Sequence, residues 1–312
     1  MLKILKDRRF RLSIIITLIF FGAGIAFLFL GLADYSWILF VLLPISLGAA
    51  IGIMPGGQLA LAGGLATTVL ILVGLYIPGL SGLLCVAMSL PIVFVFIWLG
   101  YITAKIFKRY RKSKDTDSLP VLLLPLLIFL SAAPIQHFWS GDKEAVVNVS
   151  TERIYPYTPE QVYDAIKSVD TLDAPKSLLM RFDLPIPTKC VLEKEAVGGT
   201  RTCYFKSGVL SNRDFGAGTI TEKITALERG RFLKMDVISY NLIGRKWLGF
   251  KEAIYYFDAV PGGCKLTRIT TYTSVLTPRM YWEPLEKMGI SQEHDYVFDN
   301  LENDLHRKYG VR

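Results

Sequence analysis

The side chains with chemical potential are few and far apart. His294 sits at helical spacing among Ile290, Val297, Phe298, Leu301 and Leu305, an apolar stripe. There an imidazole could act as a general base or head-group ligand, or serve as a buried, hydrogen-bonded structural histidine. On one strand-like segment Phe250, Glu252, Ile254 and Tyr256 alternate onto a shared face, and on another Leu266, Arg268, Thr270 and Tyr272 do. If both faces point inward, Glu252 and Arg268 could fix a polar head group; if outward, they are cross-strand charges. Arg201, beside Cys203, could point either way. No residue earns a catalytic assignment.

Several chemistries lack their signatures. The sequence has no GxSxG, HExxH, Walker-type loop, GxGxxG at a strand–helix junction, or His/Cys cluster, so hydrolase, NTPase, dinucleotide and metal chemistry have no support. No cofactor or metal is expected. Of the four cysteines, Cys85 lies in an apolar stretch, and Cys190, Cys203 and Cys264 are widely spaced without a CxxC. Cys190 and Cys203 flank a hairpin turn expected at Gly198-Gly199, and a register centred there does not set them opposite each other. Free thiols are expected.

What must position these residues divides in two. Between Leu12 and Ala104 there is no Lys, Arg or Glu and a single Asp, Asp34, while charges recur every few residues after Ser140. Lys+Arg against Asp+Glu gives 11 − 4 = +7 before that point and 24 − 23 = +1 after it, from the total of +8. The later part thus has no basic surplus for a phosphate backbone, and nucleic acid is excluded as a partner. The excess lies in two clusters, Lys3 to Arg11 and Lys105 to Lys114.

A helix needs about 20 apolar residues to cross a bilayer. Five stretches qualify: 11–33, 36–54, 58–78, 80–104 and 119–139. Gly48, Gly52 and Gly56 have the spacing of close helix packing. Both basic clusters are cytoplasmic if four spans separate them, and the fifth then carries the chain out. The expectation is a multi-pass protein in the cell membrane, its N-terminus cytoplasmic and its soluble part extracytoplasmic. A re-entrant fifth segment, with Pro120, Pro125 and Pro134, would instead keep that part inside. The expected division is 1–140, a transmembrane helix bundle, and 141–312, a soluble domain.

In the soluble part, Ala145 to Ile154 alternates as a first strand. Thr158-Pro159-Glu160-Gln161 opens a helix with an N-cap and a first-position proline. A second short helix is expected at Asp173–Phe182. Six strands follow at about 188–196, 200–209, 215–227, 231–240, 248–259 and 264–275, and loops this short make neighbours antiparallel. After Gly289, Ser291 is expected to cap a closing helix. Tyr281-Trp282-Glu283-Pro284 would precede it as an aromatic loop, at the membrane interface or over a cavity mouth, or simply packed at the helix entrance.

The order β-α-α-β6-α, the opening Arg153-Ile-Tyr-Pro-Tyr-Thr-Pro-Glu-Gln-Val-Tyr-Asp-Ala-Ile166, Tyr255-Tyr-Phe257 and Gly262-Gly-Cys-Lys-Leu-Thr-Arg268 resemble the START-like superfamily, also called SRPBCC, of Bet v 1-type proteins, polyketide cyclases and lipid-transfer proteins. The resemblance covers about 145–310. It implies an α+β helix-grip domain, a curved antiparallel sheet gripping a long C-terminal helix around a mainly apolar cavity. His294, Glu252, Arg268, Tyr272 and Arg201 are the candidates to line that cavity. The implied partners are the lipid bilayer and a hydrophobic small molecule: lipid, sterol-like, quinone or polyketide-like. Binding or transfer is the first expectation, a cyclase- or dehydratase-like enzyme the second, and a sensory or protein-interaction domain on an anchor the third.

Overall fold

The structure is a computed structural model that describes residues 7–32, 35–54, 57–77, 81–111, 124–132, 135, 144–211, 214–244 and 247–310. The chain forms two compact units. One comprises Met1–Pro78, Cys85–Lys143 and Val275–Trp282; the other comprises Gly79–Leu84, Glu144–Ser274 and Glu283–Arg312.

The first unit is built from apolar helices. Asp7 caps α1 (Arg8–Phe29) by accepting from the Arg9 amide at 2.7 Å. A π-helical turn, Ile38–Leu42, runs into α2 (Leu43–Ile53), and α3 (Gly57–Tyr76) and α4 (Leu83–Arg111) follow. Residues 124–132 are also helical. Three helices, Arg8–Phe29, Gly57–Tyr76 and Leu83–Tyr110, are long and apolar enough to cross a membrane, and Ile38–Ile53 is a shorter apolar helix. Of the stretch expected at 119–139, residues 124–132 and 135 are described; the rest lies outside the described residues, as do Asp34 and Gly56.

The unit buries apolar residues such as Leu47, Ile51 and Ile97, but it also buries hydroxyls and leaves large apolar side chains outside. Ser13, Thr17, Thr67 and Thr68 are buried while Leu18, Leu70 and Trp98 are exposed, as suits a lipid surround. A Cβ on Gly48 would meet the Ile97 carbonyl oxygen, and one on Gly100 would meet that of Ile45. The glycine spacing read from the sequence therefore serves contact between α2 and α4 of one chain.

The second unit is a seven-stranded antiparallel sheet curled around a long helix, a helix-grip fold. Its elements are β1 (Ala145–Tyr155), α5 (Pro159–Ile166), α6 (Leu178–Phe182), β2 (Ile186–Leu192), β3 (Thr200–Lys206), β4 (Gly218–Glu228), β5 (Phe232–Leu242), β6 (Leu248–Val260), β7 (Gly263–Ser274) and α7 (Arg279–Tyr309). The strand order is β1-β7-β6-β5-β4-β3-β2. Thr158 and Gln161 close a capping box at α5. Register shifts at Thr221/Glu222 and Ile224/Ala226 in β4, and at Phe250/Glu252 in β6, supply bulges that add bend and twist. The concave face then packs Tyr255, Phe257, Leu266 and Met235 against Phe298, Leu301 and Leu305 of α7.

Three expectations are corrected. The closing helix begins at Arg279, not Ser291, so Tyr281, Trp282 and Pro284 are helical rather than a loop. Pro284 and Gly289 are breakers by propensity, but Trp282, Glu286 and Ile290 are buried around them, and packing overrides the local cost. Cys190 and Cys203 are disulfide-bonded register partners. The β2–β3 loop spans 193–199, so its centre falls ahead of Gly198-Gly199 and brings the cysteines opposite each other. Finally, the β6 bulge splits the face assigned to Phe250, Glu252, Ile254 and Tyr256: Phe250 packs inward with Tyr272, whereas Glu252 lies on the side opposite Ala253 and Tyr255.

Candidate functional site

The concave face of the sheet carries a polar seam in an otherwise apolar interior. At one side, Arg201 on β3 stands directly across from Glu222 on β4. Its Nε donates to Glu222 at 2.7 Å and its Nη2 to the Tyr255 hydroxyl at 3.3 Å. Both partners of the pair are buried. Burial alone would lower the Arg201 pKa, but Glu222 and Tyr255 raise it above its ordinary value, so the charge is permanent.

The Tyr255 ring lies between two guanidiniums, with Arg201 5.5 Å and Arg268 5.8 Å from its centroid. Arg268, on β7, pairs with Glu293 of α7 at 3.0 Å. Burial opposes its charge and Glu293 restores it. Its Nε–H is buried and has no hydrogen-bond partner among the described residues. Such an orphan donor is uncommon, because a buried polar group without a partner costs roughly 1–3 kcal/mol.

Next along the seam is His294, fully buried on α7. Its Nδ1 is 2.9 Å from the Thr151 hydroxyl and its Nε2 2.8 Å from that of Thr270, so one hydroxyl donates and the other accepts. Burial, with the Arg268 guanidinium adding to it, holds the imidazole pKa well below 6.5 and keeps it neutral. Beyond it, Tyr272 donates to Glu286 at 3.0 Å and Ser274 to the same carboxylate at 2.6 Å.

Four of the five residues named from the sequence therefore share the concave face: Arg201, Arg268, Tyr272 and His294. Glu252 does not, since it pairs with Lys234 at 2.8 Å and accepts from Thr271 at 3.1 Å on the other side. The sequence reading missed Glu222, Tyr255, Glu286, Glu293 and Thr151. The usable signal for Glu222 was its opposite charge across the one turn that separates it from Arg201. For Glu286 it was the helical spacing, i and i+7 to Glu293 and i and i+8 to His294; Glu293 itself directly precedes His294.

As chemistry, the seam is better equipped to hold than to react. Both His294 nitrogens are engaged, Arg201 and Arg268 each have a carboxylate, and Arg268 Nε is left without a partner among the described residues. Among the described residues no group of three or more His, Cys, Asp or Glu could hold a metal ion.

No protein-family model matches the sequence, and no curated protein matches it. Among solved structures, the chain is similar to the di-domain ARO/CYC StfQ from the steffimycin biosynthetic pathway, with 16% identity over 61% of this chain and 60% of that one and a TM-score of 0.39. It is also similar to an AHSA1-like protein from Aeromonas hydrophila, with 15% identity over 52% of this chain and 93% of that one and a TM-score of 0.33. A protein from Nitrosomonas europaea, NE0264, gives 12% identity over 52% and 96%, with a TM-score of 0.35. The class of this protein is set by its own architecture, a helix-grip domain on a chain with membrane-length apolar helices.

Proposed function

We propose that this protein binds or transfers a hydrophobic ligand, held in the helix-grip unit and drawn from the membrane that its apolar helices occupy. The observation that carries the reading is Arg268 Nε on the concave face, a buried donor without a partner among the described residues. A ligand with an apolar body and one carbonyl or carboxylate acceptor would satisfy that donor while its body meets Tyr255 and Tyr272. Binding is preferred to catalysis because the acid–base groups of the seam are already engaged: His294 by two threonines, Arg201 by Glu222 and Arg268 by Glu293.

The same reading places the N-terminus in the cytoplasm and the helix-grip unit outside it. The two basic clusters support that side by the positive-inside rule. So does the Cys190–Cys203 bond, since structural disulfides persist in oxidising compartments.

One experiment reads ligand and side together. Membranes are alkylated before lysis, the full chain is purified in mild detergent, and extracted small molecules and cysteine states are measured by mass spectrometry. The expected result is one apolar molecule per chain, with Cys190 and Cys203 unalkylated. In Arg268→Lys, which keeps the Glu293 partner but loses the Nε donor, retention falls about tenfold or more, as for a hydrogen bond to a charged group. A chain as empty as an unrelated helical membrane protein overturns the binding reading, and alkylated Cys190 and Cys203 overturn the placement.

A further inference from the structure

We infer that the N-terminus of α3, where Tyr101 and Lys105 of α4 meet it, is a binding site for a phosphate group. The site lies within the unit of apolar helices and does not rest on the ligand proposed for the helix-grip unit.

Gly57 begins α3, a helix of 20 residues. A Cβ at Gly57 would come within 2.8 Å of Lys105 Nζ and 3.3 Å of the Tyr101 hydroxyl, so glycine lets both groups close on the first turn. Lys105 follows Tyr101 by one turn of α4, and its ammonium is held over the Tyr101 ring, 4.7 Å from the centroid. The next cation along α4 is used differently: Lys108 Nζ donates to the Ile53 carbonyl, at the end of α2, at 3.1 Å. All of these residues belong to one compact unit.

The Tyr101 hydroxyl points to a ligand independently of the helix end. Tyr101 is only 7% exposed, and its oxygen is buried with no hydrogen-bond partner among the described residues. The buried threonines of this unit return their hydroxyls to their own helix, whereas this hydroxyl faces the start of another. A tyrosine that merely anchors a span at the interface keeps its hydroxyl in water. This one is sealed inside, where an unmet polar group is costly.

The groups beside it are donors. An α-helix leaves its first four amides without intrahelical acceptors and carries partial positive charge at that end, and an ammonium can only donate. Carboxylates are scarce here. From Arg8 to Arg111 the sequence holds seven Lys+Arg against one acid, Asp34, which follows the C-terminus of α1. Lys105 is exposed and makes no ion pair among the described residues. Hydroxyl, ammonium and amides that converge without a carboxylate call for an anion. Phosphate has enough oxygens to accept from all three, and helix N-termini suit it. At the end of an apolar helix bundle it is supplied by a lipid head group or by the free ion.

The test uses the full chain, delipidated in mild detergent. Phosphatidylglycerol and inorganic phosphate are titrated separately, and bound adducts are counted by native mass spectrometry. The expected result is one tight phosphatidylglycerol adduct per chain, weakened about tenfold in Tyr101→Phe and in Lys105→Gln, as for a lost hydrogen bond to a charged group. Arg109→Gln, which removes an exposed cation one turn further along α4, should leave it unchanged. Because the hydroxyl has no protein partner, Tyr101→Phe should also leave the unfolding midpoint of the anion-free chain where it is, which separates lost binding from misfolding. The same pattern with inorganic phosphate, and none with the lipid, assigns the site to the free ion. Binding that survives Tyr101→Phe, or that falls equally in Lys105→Gln and Arg109→Gln, describes a diffuse basic surface and overturns the inference. So does the absence of an adduct with either probe.

Discussion

The two units hide polar groups in opposite ways. In the apolar unit, buried threonine hydroxyls return to their own helix: Thr17 to Ser13 O, Thr67 to Gly63 O and Thr68 to Gly64 O, at 2.8, 2.8 and 2.9 Å. In the helix-grip unit they reach across the fold, as with Arg201 to Glu222, Arg268 to Glu293 and Thr151 to His294, separated by 21, 25 and 143 residues. For these threonines the hydroxyl is satisfied within one helix, by the carbonyl one turn back. A water-soluble interior can build networks, and those networks depend on every partner.

The largest expected effect breaks such a network. Glu222→Ala leaves the Arg201 guanidinium buried without its carboxylate, and removal of one partner of a buried pair costs about 3–5 kcal/mol. The midpoint of the strand-rich unfolding transition should fall sharply. Arg201→Met/Glu222→Leu, which removes both charges at similar volume, should recover most of the loss. If the single and double variants unfold alike, the pair does not hold the seam as described.

His294 gives a smaller, pH-gated effect. Its folded pKa lies below 6.5, so as pH falls through 6.5 the unfolded chain takes up a proton that the folded chain refuses. Stability is then full above 6.5 and declines from there down to the folded pKa. His294→Gln, which can still donate to one threonine and accept from the other, should flatten that decline. An unchanged slope in the variant would place the pH sensitivity elsewhere.

The same contrast explains what the sequence disclosed. Alternation along a strand and apolar runs along a helix are local, so the order of elements, the antiparallel sheet and the shared face of Leu266, Arg268, Thr270 and Tyr272 could be read, though not which way that face points. The Cys190–Cys203 pairing could not, because it depends on where a seven-residue loop centres its turn. Glu252 was misassigned because a single bulge reverses the face of a strand. The start of α7 was hidden because Pro284 and Gly289 look like an ending until the burial of Trp282 and Ile290 is known. Each miss is a non-local fact.

The smallest effect isolates the contrast with one substitution made twice. In Thr68→Val, the Gly64 carbonyl keeps the backbone donor that the helix supplies, so no buried group is orphaned and stability should change by only about 0.5 kcal/mol. In Thr270→Val the same loss of a hydroxyl leaves His294 Nε2 buried without its partner, which should cost about 1–3 kcal/mol. Both residues are buried, at 0% and 4% exposure, so burial does not separate them. What separates them is whether the hydroxyl's partner has another bond to fall back on. Equal destabilisation by the two changes, each read in the transition of its own unit, would mean that the apolar helices depend on their hydroxyls as the grip does, and the local-versus-network distinction would fail.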